Sequence, residues 1–286
     1  MLYLKLWDVA YGNAAYLKTP NGKNIVQDLG IGSLKAGSAI FSPLLFLKNS
    51  MRVHKLDEVI ITHPHADHIK DIFNFDSFSP DVLNRPKNLT DKEIVTANRR
   101  EDQELFEKYI EINSRYNEDI SAHDSPLHSQ NNGGAIIQVF QSTGGNPTNI
   151  NNHSIVTVIS YAKSKVILPG DNDAESWQEL LKQSNFKKAI EDTDIFLASH
   201  HGLESGFCYD LFNCFHPKLI IVSNGRFIDN ASLVGYSEIA SGWDVHRRNG
   251  SIVEKKYLTT KSDGNIEIAI GWVLEEKKNF LIVTTD

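Results

Sequence analysis

Cysteine is nearly absent, with Cys208 and Cys214 the only two in 286 residues. They do not form a C-x-x-C pair, so neither a disulfide framework nor a thiolate zinc site fits. Both lie in the apolar stretch Phe207 to Phe215, which suits packing. Positive charge is also short: 29 Lys and Arg face 36 Asp and Glu, for a formal net charge of -7. That balance argues against a broad basic surface for nucleic acid, though not against a local groove or phosphates held by metal ions. No apolar run reaches the ~20 residues that cross a bilayer. The opening Met1-Leu2-Tyr3-Leu4-Lys5-Leu6-Trp7-Asp8 reads as a strand, without the basic leader and apolar core of a signal peptide. The expectation is a cytoplasmic protein with no membrane partner. Internal repeats and low-complexity tracts are missing too. A composition of 41% hydrophobic and 23% charged residues is ordinary for a globular chain long enough to bury a sizeable core.

Chemistry concentrates at Thr62-His63-Pro64-His65-Ala66-Asp67-His68, which follows the β-branched run Val59-Ile60-Ile61. Such a run suits a buried strand. Alternation along an extended chain sends His63, His65 and Asp67 to one side, and a turn brings His68 within reach. Imidazole nitrogens and carboxylate oxygens suit zinc and similar divalent ions. A polar turn with chance histidines is the bland alternative, and three of the chain's 11 His within six positions speak against it.

Along the chain, Leu2 to Val9, Ala14 to Lys18 and Asn24 to Gly30 read as strands, with Pro20-Asn21-Gly22 a hairpin turn. Residues 38 to 50 read as a helix. From about 81 to 135 the character changes: Leu105, Phe106, Tyr109, Ile110 and Ile112 recur near helical spacing in a charged segment. This predicts a helical insertion lying over the core, with Arg99-Arg100 on a solvated face or against an anionic substrate. His123 and His128 fall in loop-rich sequence without ligand-like spacing. The second half alternates: strands at Ser154 to Tyr161 and Lys165 to Leu168, a helix from Asp173 to Ile190, and a strand at Asp194 to Ala198. Then come a helix from Phe207 to Phe215, a strand at Leu219 to Val222, and a loop plus helix over 227 to 250. Strands at Val253 to Thr259, Asn265 to Val273 and Asn279 to Val283 close the chain. One mixed α/β domain over 1–286 is the expectation.

Three later stations share the strand-end position of the first cluster. His153 precedes Ser154-Ile155-Val156; Asp171 follows Leu168-Pro169-Gly170; His200 and His201 follow Leu197-Ala198-Ser199. Each alone is weak, since a lone His is more often structural and a Gly-Asp is often only a turn. Four in order at strand ends exceed what packing requires, and strand tips at one sheet edge hold ligands accurately.

With these residues in place, the chain resembles the metallo-β-lactamase superfamily, whose signature is H-x-H-x-D-H, a later His, a strand-ending Gly-Asp and a final His. Within it, the pattern is most similar to stand-alone metallohydrolases related to the C-terminal domain of ComEC-type competence proteins. Leu6-Trp7-Asp8-Val9-Ala10-Tyr11-Gly12-Asn13-Ala14 resembles that group's D-V-G-Q-G-D-A opening. Asp28-Leu29-Gly30, Asn152-His153-Ser154, Ser199-His200-His201-Gly202 and Thr259 to Gly264 match as well. Ala10 and Asn13 stand where the group usually has Gly and Asp, and Arg226 to Tyr236 lacks histidines often found there.

The resemblance implies an αββα four-layer sandwich with two divalent metal ions, Zn2+ or Mn2+, at one edge of the sheets. It places His63, His65 and His153 on one ion, Asp67, His68 and the last His on the other, and Asp171 between them. His200, directly off the strand, is favoured as that last ligand, with His201 as proton donor. Two ions about 3.5–4 Å apart hold a bridging hydroxide for in-line attack, which Asp67 would orient. Asp8, Asp28 or Ser199 would fix histidine tautomers. The leading expectation is a phosphodiesterase, most of all a nuclease on DNA or RNA. The alternative is hydrolysis of a small molecule such as a cyclic nucleotide, lactone or thioester, favoured by a deep pocket closed by the insertion. A non-hydrolytic partner protein is a third class, against which the full ligand set argues.

Overall fold

Short β-branched runs separated by Gly, Asn and Asp turns become fifteen strands among the described residues of the computed structural model. It describes residues 1–32, 40–121, 125–126, 128–142, 149–224, 230–273, 275–276 and 278–286. The first strands are β1 (Leu2–Leu6), β2 (Ala15–Lys18), β3 (Asn24–Gln27), β4 (Glu58–Ile60), β5 (Val82–Asn84), β6 (Ile136–Gln141), β7 (Ile155–Tyr161) and β8 (Ser164–Leu168). Then follow β9 (Ile195–Leu197), β10 (Leu219–Val222), β11 (Trp243–Arg247), β12 (Ile252–Lys255), β13 (Tyr257–Thr259), β14 (Ile266–Val273) and β15 (Lys278–Thr285). One sheet runs β12-β11-β15-β14-β1-β2-β3-β4-β5 and the other β13-β10-β9-β8-β7-β6.

Alternation sorts the side chains into three apolar layers. Leu2, Leu4, Leu6, Ile25 and Ile60 meet Ile155, Ile159, Ile195 and Ile221 between the sheets. Trp7, Val26 and Val59 point the other way, beneath the helices Pro43–Asn49 and Gln103–Arg115. Val158, Phe196 and Ile220 face the helices Ala174–Leu180, Ser184–Ile190 and Asn230–Ile239. The chain is therefore an αββα four-layer sandwich.

Helix Gln103–Arg115 buries Leu105, Phe106, Tyr109 and Ile112 in the same cluster as Trp7 and Val59. At about 1.5–3 kcal/mol per buried side chain, this part of the 81–135 segment is a working portion of the outer layer. The segment also adds β5 to the sheet edge, beside β4. His123 lies outside the described residues, and His128 is exposed.

Several boundaries depart from the sequence reading. The span Asp173 to Ile190 is two helices, because tight bonds from Lys182 N to Glu179 O and from Gln183 N to Leu180 O end the first. Phe207 to Phe215 forms only a short 3-10 turn at Tyr209–Asn213. Val253 to Thr259 divides at Lys256: β12 pairs with β11 in one sheet and β13 with β10 in the other. Within 227–250, helix Asn230–Ile239 is followed by β11, which runs parallel to β15.

The topology gathers polar tips. β3 runs parallel to β4, and β8, β9 and β10 run parallel to one another, so their C-terminal ends collect at one edge. Ile155 N donates to Thr62 O at 2.9 Å, and Ser223 Oγ donates to Gly12 O at 2.8 Å, tying the sheets together there.

Candidate metal centre

The turn carrying the first histidines is set by close backbone packing. A Cβ on Gly12 would lie 2.4 Å from the Asp67 carbonyl oxygen, and Gly12 has φ +139°. Only glycine admits that approach. A Cβ on Gly30 would meet the same oxygen at 2.8 Å. Across the sheets, Gly170 turns with φ +64° against Thr62 and Ser154 and delivers Asp171 to the centre. His200 and His201 are consecutive left-handed residues, at φ 49° and 54°. Histidine tolerates this conformation better than most side chains, yet two in a row store strain of the kind found at functional sites.

Four side chains converge. Ligand atoms of Asp67, His68, Asp171 and His201 all lie within 4.8 Å of one another. His201 Nε2 stands 3.2 Å from Asp67 Oδ2 and 3.3 Å from Asp171 Oδ2, while His68 Nε2 stands 3.2 Å from Asp171 Oδ2. Donor atoms about 2.0–2.1 Å from a tetrahedral zinc are themselves about 3.3 Å apart, so these separations fit one ion's ligand shell. His63 Nε2 adjoins the group at 3.7 Å from Asp171 Oδ2, and His65 Nδ1 lies 3.1 Å from His63 Nε2.

Outer partners fix which nitrogen faces inward. The Ser223 carbonyl can only accept, so His201 Nδ1–H donates to it at 2.9 Å, which turns Nε2 toward the carboxylates. His68 Nδ1 donates to Asp28 Oδ2 at 2.8 Å, leaving its Nε2 toward Asp171. This carboxylate–histidine arrangement is the one that orients metal ligands. Asp28 is fully buried and also accepts from Thr62 N and Oγ1 and from Asn13 Nδ2. Asn13, a departure from the competence-type opening, thus serves the ring through Asp28.

Electrostatics demand positive charge at this point. Burial disfavours a charged His201, but Asp171 and then Asp67 outweigh it and hold the ring up to about 10. Burial likewise opposes a charged His68, and Asp171, Asp28 and Asp67 raise it well above the ordinary imidazole range. Asp171 and Asp67 are held well below the carboxylate range, burial being overcome by His201 and His68. His63 is pushed well below its ordinary value by burial and then by His68, which keeps it neutral with a free lone pair. Either protons on two rings or a divalent cation meets the demand, and the donor set fits the cation.

Two expected ligands have other partners. His200 Nδ1 lies 3.0 Å from Asp173 Oδ1 and 2.8 Å from Ser205 Oγ. The left-handed turn swings it outward and its neighbour inward, so the inward position favoured for His200 belongs to His201. His153 Nδ1 accepts from Asn88 Nδ2 at 2.9 Å, and Asn88 Oδ1 in turn accepts from Gln141, which orients the amide. That contact faces His153 toward the 81–135 segment, and it does not join the four convergent residues. Of the expected tautomer-fixing groups only Asp28 serves: Asp8 accepts from Ala10 N, and Ser199 donates to Asn172 O. Tyr11 is not singled out by the sequence pattern as part of the site, yet its half-exposed ring lies 5.0 Å from that of His201. The Gly12 turn that follows it was the available signal.

No family model matches the chain. Recombination protein 2 of Haemophilus influenzae is 25% identical over 226 residues, covering 77% of this chain and 24% of that protein. The chain thus spans about a quarter of that relative's length. Among solved structures, CmlA, a diiron β-hydroxylase from Streptomyces venezuelae, aligns with TM-score 0.46 and 14% identity over 82% of this chain and 50% of its own. Zn2+-bound PqqB from Methylobacterium extorquens aligns with TM-score 0.43 and 8% identity over 90% of this chain and 97% of its own. AidC, a dizinc quorum-quenching lactonase, gives 0.34 and 16% over 56% and 57%. Among the described residues no helix is long and apolar enough to cross a membrane.

Proposed function

We propose that this chain is a metal-dependent hydrolase of the metallo-β-lactamase type that cleaves phosphodiesters, with nucleic acid as its leading substrate. The observation that carries the reading is the convergence of Asp67, His68, Asp171 and His201 on one point, with His63 and His65 beside Asp171. His68, His201 and Asp67 would hold one divalent ion, His63 and His65 a second, and Asp171 both; His153 would join the second only after leaving Asn88. When bound, two such ions ionise water near neutral pH and polarise a phosphoryl oxygen. The chain's own part is to hold these groups still. Asp28 and the Ser223 carbonyl fix the rings, and Asp67 orients the attacking water. His200 is held outward by Asp173 and Ser205 on Nδ1 and by Asn151 on Nε2, and takes no part in this set. Similarity to Recombination protein 2 supports a nucleic-acid substrate.

One observation favours small-molecule hydrolysis instead. Asn98 Nδ2 donates to the Pro64 carbonyl at 3.0 Å, so the 81–135 segment packs against the turn that carries His63 and His65. Metal analysis with a substrate panel separates the readings: bis-p-nitrophenyl phosphate, DNA, RNA, a cyclic nucleotide, a lactone and a thioester. Metal-dependent cleavage of DNA or RNA, lost in Asp67→Ala and His65→Ala, is expected. Cleavage of the cyclic nucleotide, lactone or thioester but of neither polymer would select the alternative. Nuclease activity that survives both substitutions would be a contaminant's and would remove the leading reading.

A further inference from the structure

Of the four convergent side chains, those of His68, Asp171 and His201 are at most 4% exposed, whereas that of Asp67 is 15% exposed. Access to the centre therefore lies past Asp67, and Tyr11 flanks it. The Tyr11 ring lies 5.0 Å from the His201 ring, inclined to it by 37°. With 45% of the residue exposed, more than a main chain alone presents, one side of the ring meets the imidazole and the other meets solvent. The backbone that carries it is held from both ends. Ala10 is left-handed at φ 59°, its N–H donating to Asp8 Oδ1 at 3.1 Å. Gly12 packs on the Asp67 carbonyl, and its own carbonyl accepts from Ser223 Oγ at 2.8 Å. A left-handed alanine is strained, and such strain collects at binding and catalytic sites.

A cation stands near the same approach. Asn98 is anchored on the Pro64 carbonyl, between His63 and His65, and seats its neighbour Arg99 beside that turn. The Arg99 side chain is 82% exposed, and its ion pair with the exposed Glu101 is long, at 3.5 Å. Such a pair is worth little in water and yields readily to a phosphate. Burial first, then Asp67 and Asp171, raise the Tyr11 hydroxyl, while His68 and Arg99 lower it; its oxygen thus lies in the field of both the centre and Arg99. We propose that Tyr11 and Arg99 form the substrate rim, Tyr11 stacking on an unpaired nucleobase and Arg99 pairing with the phosphate next to the scissile one. The inference rests on the phosphodiesterase reading and narrows it to single-stranded nucleic acid, because a base inside a duplex has both faces covered by its neighbours. Stacking also suits a chain of net charge -7, in which affinity must come from a few local contacts.

Fluorescence anisotropy of the zinc-loaded chain with labelled, cleavage-resistant phosphorothioate strands tests the rim without turnover. A short oligothymidylate is expected to bind about 10-fold more tightly than an abasic strand of the same length and charge, and more tightly than its own duplex with oligodeoxyadenylate. Tyr11→Leu should remove the preference for the base-bearing strand, whereas Arg99→Ala should weaken both strands alike. Equal binding of the two strands by the native chain, a preference retained in Tyr11→Leu, or no binding of either strand would each overturn the proposal. The native comparison stands even where Tyr11→Leu fails to fold, and Tyr11→Phe, which keeps the ring, should keep the preference. The two readings also fail separately. Base-dependent binding with no cleavage of the unmodified strand would support the rim and remove the hydrolase reading; cleavage with equal binding would remove the rim alone.

Discussion

Replacing Asp28 by Asn removes one charge from the interior without changing the shape of the side chain. The backbone tolerates it, because Asp28 sits at φ 59° and asparagine adopts that left-handed conformation readily. What changes is hydrogen bonding. Asp28 accepts from Thr62 N at 2.8 Å, Thr62 Oγ1 at 2.9 Å, Asn13 Nδ2 at 3.2 Å and His68 Nδ1 at 2.8 Å. An amide nitrogen in place of one oxygen faces donors with a donor. A hydrogen bond to a charged group is worth about 1.5–3 kcal/mol and a buried unsatisfied donor costs about 1–3 kcal/mol. The expected loss of stability is about 2–4 kcal/mol, read as a lower urea midpoint in metal-free protein. The same change frees His68 to rotate, so zinc affinity measured against a competing chelator should fall about 10- to 100-fold. A midpoint and an affinity both unchanged in Asp28→Asn would refute the assignment of Asp28 as the group that orients His68.

His201→Ala should lose bound metal, while His200→Ala should keep it; atomic-emission analysis of both proteins reads the difference, and the reverse pattern would restore His200 as the ligand. In chelator-treated protein, His201 titrates near about 6.5 when unfolded and about 10 when folded. Its stabilising effect is complete below the lower value and lost as pH rises through the upper one. The urea midpoint of the metal-free protein should therefore fall between these limits, and a flat profile would contradict the charge assigned to the ring. Gly12→Ala should destabilise by about 2 kcal/mol or more and weaken metal binding, because its Cβ would displace the Asp67 carbonyl; unchanged melting would show that the turn relaxes freely.

The layered architecture was legible because period-two apolar patterns and strand-ending glycines are local signals. Val59-Ile60-Ile61 before the histidines and Val166-Ile167-Leu168 before Gly170-Asp171 told where the strands end, and parallel pairing did the rest. What pattern could not give was the inside–outside choice at Ser199-His200-His201. An extended tip would have aimed His200 inward, but two successive left-handed residues reverse the pair. No local rule announces that turn, which depends on Asp173, Ser205 and the Ser223 carbonyl. His153 is not among the four convergent residues, and its Nδ1 is engaged by Asn88, which belongs to a segment whose docking is tertiary. The division of Val253 to Thr259 between two sheets was invisible because both halves are equally strand-like.

Crystals grown with zinc and measured at the zinc absorption edge test the centre itself. Two anomalous peaks about 3.5–4 Å apart, flanking the Asp171 carboxylate, with His68 and His201 on one and His63 and His65 on the other, are the expected result. Strong zinc peaks elsewhere with none at Asp171 would contradict it.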